Sequence, residues 1–190
     1  NGLYPLARPL YLYTSPTILR QKPDVERFIG CYLSQLPLAV SDVGYLLPNR
    51  QLFAQAIQSF NASCQECRRE LVTNHPLADN VPICDAATGV GTPISIVGSS
   101  TLEPLTDRMA RLFTERGFRG TIEVDGSGTG AGFRTFCTTG QGDIVDASRL
   151  VTDEERAVCN AAGRALVPFP IAVDALAIVV SRANTYVQDA

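Results

Sequence analysis

The chain reads as an α/β protein, with a mainly parallel sheet and helices on both faces. Three observations predict this. Apolar runs of strand character alternate with amphipathic helical runs through the second half of the chain, the pattern of an α/β sheet. Three of those strands stop abruptly at glycine or hydroxyl residues where a helix begins. The bulk composition (190 residues, 45% apolar, 18% charged) is that of an ordinary globular protein with enough length for a good core.

The elements follow in order. Leu6 to Thr14 is a strand, with Leu10, Leu12 and Thr14 on one side and Tyr11 and Tyr13 on the other. A helix starts at Lys22-Pro-Asp-Val; Pro23 suits its first turn and Asp24 the positive end of its dipole. Its buried face is Val25, Phe28, Ile29, Tyr32, Leu33 and Leu36, and Cys31 lies there as a buried free thiol. Val43-Gly-Tyr-Leu-Leu-Pro48 is a turn and short extended piece. Asn49 caps a helix carrying Leu52, Phe53, Ala56, Ile57 and Phe60. From 61 to 92 periodicity fades among Pro76, Pro82, three cysteines, Gly89 and Gly91, so this stretch reads as a linker or disulfide-tied loop. Central strands are expected at 8–14, 93–98, 120–125, 143–147 and 165–181. Helices follow on the faces Leu102, Leu105, Met109, Leu112, Phe113 and Phe133, Phe136, Cys137. Thr152-Asp-Glu-Glu155 is a capping box for a helix bearing Val158 and Cys159.

Charge and hydropathy exclude several classes. The net charge is −3 and no basic patch is interleaved with aromatics, so nucleic acid is not an expected partner. Ile171 to Val180, the longest apolar run, is broken by Asp174 and falls short of the roughly 20 residues of a membrane span. No signal peptide opens at Asn1; the piece reads as a mature or excised fragment, so this says nothing of compartment.

The six cysteines permit disulfides without establishing them. Cys64-Gln-Glu-Cys67 with Cys84 and His75 matches no standard zinc spacing, and the C-x-x-C does not sit between a strand and a helix as a redox motif would. No metal or cofactor is expected. The preferred reading is an extracytoplasmic chain in which Cys137 pairs with Cys159, and Cys84 with Cys64 or Cys67. The Cys137–Cys159 loop of about twenty residues implies roughly 3 kcal/mol in the chain-entropy model.

The chemistry lies at the three strand ends. Ile94, Ile96 and Val97 run into Gly98-Ser-Ser-Thr101 at a helix start. Thr121-Ile-Glu-Val-Asp125 runs into Gly126-Ser-Gly-Thr-Gly-Ala-Gly132, and a third end lies at Asp143-Ile-Val-Asp-Ala-Ser-Arg149. Backbone N–H groups, helix dipoles and hydroxyls converge there, which suits one oxyanion. Asp146 reads as a backbone-bonding or capping residue and not a ligand, and Arg149 as either a contact or an ion pair with Asp153 or Glu154. Enzyme readings fail. The glycine run has no Walker lysine, misses G-x-G-x-x-G, and has Asp125 where a nucleophile elbow needs glycine; any triad would have to recruit His75.

Four linked motifs now bring a family into view. Gly98-Ser-Ser-Thr-Leu-Glu-Pro-Leu-Thr106, Asp125-Gly-Ser-Gly-Thr-Gly-Ala-Gly-Phe-Arg-Thr-Phe-Cys137, Gly142-Asp-Ile-Val-Asp-Ala-Ser-Arg149 and Phe169-Pro-Ile-Ala-Val-Asp-Ala-Leu-Ala-Ile-Val-Val180 resemble, in order and spacing, the N-terminal part of PstS-type phosphate-binding proteins. These are the periplasmic solute-binding components of ABC transporters. Tyr4-Pro-Leu-Ala-Arg-Pro-Leu-Tyr-Leu-Tyr13, the Phe28 helix and Val43-Gly-Tyr-Leu-Leu-Pro48 resemble their C-terminal part. The resemblance implies a single lobe of a type II periplasmic-binding-protein fold in permuted order. Residues 1–60 would be its C-terminal segment, 61–92 the linker or tied loop, and 93–190 its N-terminal segment. It implies ligand donors at Ser100, Thr101, Leu102, Ser127 and Ser148, with Arg149 adding a charge-assisted contact. Many family members carry, where Ser148 stands, an aspartate that takes a proton from bound phosphate; an aromatic is common where Glu103 stands. Glu103 itself reads as an exposed first-turn glutamate. The implied partners are phosphate or a similar oxyanion, the second lobe and an ABC permease, outside the cytoplasm; an open cleft face also suits a homodimer. The alternative is a structural or protein-interaction lobe that has lost its ligand.

Overall fold

The computed structural model describes residues 6–63, 71–72, 75–78, 81–84, 91–177 and 179–183. Five strands form the main sheet: β1 (Ala7–Thr14), β4 (Ile94–Gly98), β5 (Ile122–Asp125), β6 (Ile144–Ala147) and β7 (Val167–Ala175), in the order β5-β4-β6-β1-β7. β4 pairs in parallel with β5 and β6, while β1 runs antiparallel to β6 and β7. Four strands therefore point one way, and β1 alone opposes them. β1 is buried on both faces, so Leu10, Leu12 and Thr14 as well as Tyr11 and Tyr13 lie inside. The strand expected in a central place over 165–181 is corrected: β7 lies at the sheet edge, where Pro168 and Pro170 are tolerated, and it ends at Ala175, opposite Ala7 where its ladder partner β1 begins.

The helices are α1 (Pro16–Gln21), α2 (Pro23–Asp42), α3 (Arg50–Ser63), α4 (Glu103–Glu115), α5 (Thr129–Arg134), which continues as a π-turn over Thr135–Thr139, and α6 (Asp153–Ala161). No apolar stripe announces α1; Ser15 caps it by accepting the Ile18 N–H. α2 continues past Pro37 to Asp42, and the Asn49 side chain accepts the Leu52 N–H to open α3. β4 connects through α4 to β5 on one side, and β5 crosses back through α5 to β6 on the other. Right-handed crossovers in opposite directions put α4 and α5 on opposite faces. α2 packs with α4, where Phe28 meets Phe113 edge-on with centroids 5.5 Å apart. On the α5 face Tyr13 meets Phe133 at 5.2 Å. No helix among the described residues is long and apolar enough to cross a membrane.

Between α3 and β4 the described residues include a small antiparallel pair, β2 (Leu71–Val72) and β3 (Val81–Pro82). The Cys137–Cys159 disulfide joins the π-turn to α6 as expected. The other expectation is corrected: Cys31 is not a free thiol but is bonded to Cys84, and Cys84 therefore pairs with neither Cys64 nor Cys67. α2 packs on β3, with Pro82 against Gly30, and this brings together two cysteines 53 residues apart. Cys64 and Cys67 lie outside the described residues. His75 stacks on Phe53 with its Nε2 by the Ser34 carbonyl, so the Cys84–His75 zinc pair has both members engaged elsewhere.

Candidate functional site: an anion cradle at three strand ends

β5, β4 and β6 end side by side, at the carboxyl edge where open α/β sheets take ligands. Gly98 closes β4 at φ 135°, and a Cβ there would overlap the Asp146 carbonyl oxygen, so glycine alone fits. The same carbonyl accepts the Ser99 N–H at 2.9 Å. Ser99 is buried and organises the loop. Its Oγ accepts the Thr101 N–H at 3.2 Å, and its carbonyl accepts the N–H groups of Leu102 at 3.0 Å and Glu103 at 3.2 Å. Ser100 is left exposed at the tip, and its N–H and hydroxyl meet no acceptor among the described residues. The Thr101 hydroxyl accepts from the Arg8 guanidinium at 3.2 Å, and its carbonyl accepts the Tyr45 hydroxyl. The Leu102 side chain is in the core, so Leu102 can present only backbone.

The second end is the turn Gly126-Ser127-Gly128. The Gly128 N–H donates to the Gly98 carbonyl, which ties this turn to the first loop. Ser127 is exposed and unbonded among the described residues. Thr129, nearly buried, ties the third end to the second. Its hydroxyl accepts the Ser148 N–H at 3.1 Å and lies 3.2 Å from Ser148 Oγ. Thr129 is absent from the ligand set expected from the sequence. A hydroxyl after a glycine turn is a signal, but its partner lies 19 residues away on another strand.

Arg149 is an ion-pair residue here, and its partner is Glu155 rather than Asp153 or Glu154. Both guanidinium NH groups meet the carboxylate at 2.8 Å, and Nη1 also donates to the Leu150 carbonyl. The capping box explains the choice. Glu155 reaches back to the Thr152 N–H at 2.9 Å, which sets its carboxylate against Arg149. The Arg149 guanidinium holds the Glu155 carboxyl below its ordinary pKa range.

Two carboxylates stand close to the cradle. Glu103 is half-buried rather than exposed and leans over Gly126, where a Cβ would overlap its Oε2. Asp146 is fully buried beneath α4. Its Oδ2 accepts the Thr106 hydroxyl at 2.7 Å, a side-chain partner and not a backbone one, while its Oδ1 has no partner among the described residues. The Thr106 hydroxyl in turn lies 3.3 Å from Tyr32 Oη. Burial pushes the Asp146 carboxyl up to about 7, aided by the charges of Asp107 and Glu103 and opposed by the Thr106 hydrogen bond. Beside Glu103, Ser100 and Ser127 stand exposed at the tips, with the first turn of α4 behind them.

Residues 85–188 match the PBP superfamily domain, and the chain belongs to that family. Its likeness within the family is to PstS-type proteins. It is 40% identical over 87 residues to protein SphX of Synechococcus elongatus, covering 46% of this chain and 26% of that one. It is 34% identical over 92 residues to the phosphate-binding protein PstS of Staphylococcus epidermidis, covering 48% of this chain and 28% of that one. The chain thus spans about a quarter of the length of these curated relatives. In fold it resembles the phosphate-binding protein of a Streptococcus pneumoniae phosphate ABC transporter, with a TM-score of 0.58 at 22% identity, covering 92% of this chain and 52% of that one. The fold is that of one lobe of such a protein.

Proposed function

We propose that this chain is the oxyanion-binding lobe of an extracytoplasmic ABC-transporter substrate-binding protein, that it takes phosphate, and that it supplies half of the ligand cleft. The observation that carries the reading is the convergence of Ser100, Ser127 and Ser148 at three strand ends laced together by Gly128–Gly98 and Thr129–Ser148. Such a site captures an anion by hydroxyls, backbone N–H groups and the α4 dipole, without net charge. Ser100 offers its N–H and hydroxyl, Thr101 its hydroxyl, and Leu102 backbone once the Ser99 turn opens. Ser127 and Ser148 offer hydroxyls. Arg149 joins only when released from Glu155. Residues 1–60 and 93–190 act as the two segments of this lobe, with 61–92 as the join; β1 lying between β6 and β7 supports that division. The chain has no catalytic role in this account. A second lobe completes the cleft, and an ABC permease receives the loaded protein. With only half the donors, at roughly 1.5–3 kcal/mol for each missing charge-assisted bond, affinity falls by orders of magnitude.

Glu103 favours a second reading. Its carboxylate over Gly126 repels an anion at the same spot, which fits a lobe kept for assembly or for docking a partner, including a second copy of itself. Calorimetric titration with phosphate and with sulfate separates the two. The binding reading expects a weak phosphate response that falls in Ser127→Ala and Ser148→Ala; the docking reading expects none, and none on a longer chain carrying the second lobe.

A further inference from the structure

Arg8, on β1, faces Asp174 directly across the β1/β7 ladder, and its Nε and Nη2 meet that carboxylate at 3.1 and 2.9 Å. The same Nη2 reaches Thr101 Oγ1 at 3.2 Å. Tyr45, next to the Leu46–Val173 bridge, donates its hydroxyl to the Thr101 carbonyl. Two residues from the beginning of the chain thus hold one residue of the cradle loop, and they are joined to it by no neighbouring sequence.

We propose that Arg8 is a positioning residue for the anion cradle, acting through Thr101; the proposal rests on the phosphate-binding reading above. The reason is the hydrogen-bond inventory of a hydroxyl, which has one proton and two lone pairs. The guanidinium has no acceptor, so in this pair Thr101 Oγ1 must accept. Its proton is then turned away from Arg8 and left for another acceptor. The Thr101 N–H is spent on Ser99 Oγ and its carbonyl on Tyr45, so the hydroxyl proton is the one donor this residue has left. A cation on the accepting side also polarises that O–H. Asp174 sets the Arg8 fork and offsets its charge, so the effect is one of direction rather than of bulk attraction.

The test is a double-mutant cycle on the 190-residue chain, with affinity for inorganic phosphate read from amide chemical-shift titrations and folding checked by thermal melts. Arg8→Ala and Thr101→Val should each weaken binding about tenfold, and the double variant should bind no more weakly than Thr101→Val alone. Arg8→Lys keeps the charge beside Asp174 but loses the fork, and should show the same loss as Arg8→Ala. Losses that multiply in the double variant, or wild-type affinity in Arg8→Lys, overturn the role of Arg8 while leaving the phosphate reading in place. No phosphate response from the wild-type chain overturns both.

Discussion

Asp146 is the residue whose chemistry is least like its sequence surroundings. It stands in an apolar strand, fully buried, with one oxygen unpartnered among the described residues. Its carboxyl titrates near 7 in the folded chain, far above the unfolded value near 4. A raised acid pKa means that the folded state binds more protons than the unfolded one between those limits. Stability contributed by this group is therefore greatest at low pH, declines as pH rises from about 4 to about 7, and is flat above. Asp146→Asn keeps an acceptor for Thr106 and removes the charge. It should be more stable than the wild type at pH 8 and lose that advantage toward pH 5, as read by urea unfolding at both. At the cradle, Thr129→Val removes the acceptor for the Ser148 N–H while keeping the shape of the side chain. It should cost about 1–2 kcal/mol by chemical denaturation and weaken any phosphate response at Ser148.

Among the elements, the helix running from α5 into its π-turn is held at its end by one side chain. Arg164 donates to the carbonyls of Phe136 at 3.0 Å, Gly142 at 3.1 Å and Gly140 at 2.6 Å, and stacks on the Phe136 ring at 4.6 Å. It supplies donors to one carbonyl of the π-turn and two of the segment that follows it. Arg164→Ala should cost about 2 kcal/mol in denaturant unfolding, with Arg164→Lys recovering only part of it. Elements of this kind divide into those legible in the sequence and those that are not. The apolar faces of α2, α3 and α4, the Asn49 cap, the Thr152 capping box and four of the five sheet strands are local periodicities or local side-chain bonds and stand within a residue or two of where the spacing placed them, whereas the strand expected over 165–181 ends at Ala175. Cys31–Cys84, Thr129–Ser148 and Arg8–Thr101 are pairs 53, 19 and 93 residues apart. Nothing in either partner's neighbours marks the other, because such pairs arise only when the sheet order brings the elements together. Glu103 is a milder case: its place in the first turn of α4 is local, but its lean over Gly126 depends on where β5 ends.

For the whole molecule, the two disulfides act on different parts. Cys31–Cys84 holds the stretch after α3 onto α2, and Cys137–Cys159 holds the α5 helix to α6. Loops of 53 and 22 residues correspond to about 4 and about 3 kcal/mol in the chain-entropy model. Replacing Cys31 and Cys84 together by alanine should therefore lower Tm more than replacing Cys137 and Cys159, which differential scanning calorimetry on the two variants checks. The sheet also joins the first strand to the last, since β1 lies hydrogen-bonded between β6 and β7 and reaches the cradle through Arg8. The central claim, that three strand ends form one anion site, is tested most directly by a crystal structure of the 190-residue chain grown with phosphate. The account predicts one ordered phosphate bonded by Ser100, Ser127 and Ser148, with Glu103 swung away from Gly126. A cradle without phosphate and with Glu103 still over Gly126, or an anion held elsewhere on the lobe, would contradict it.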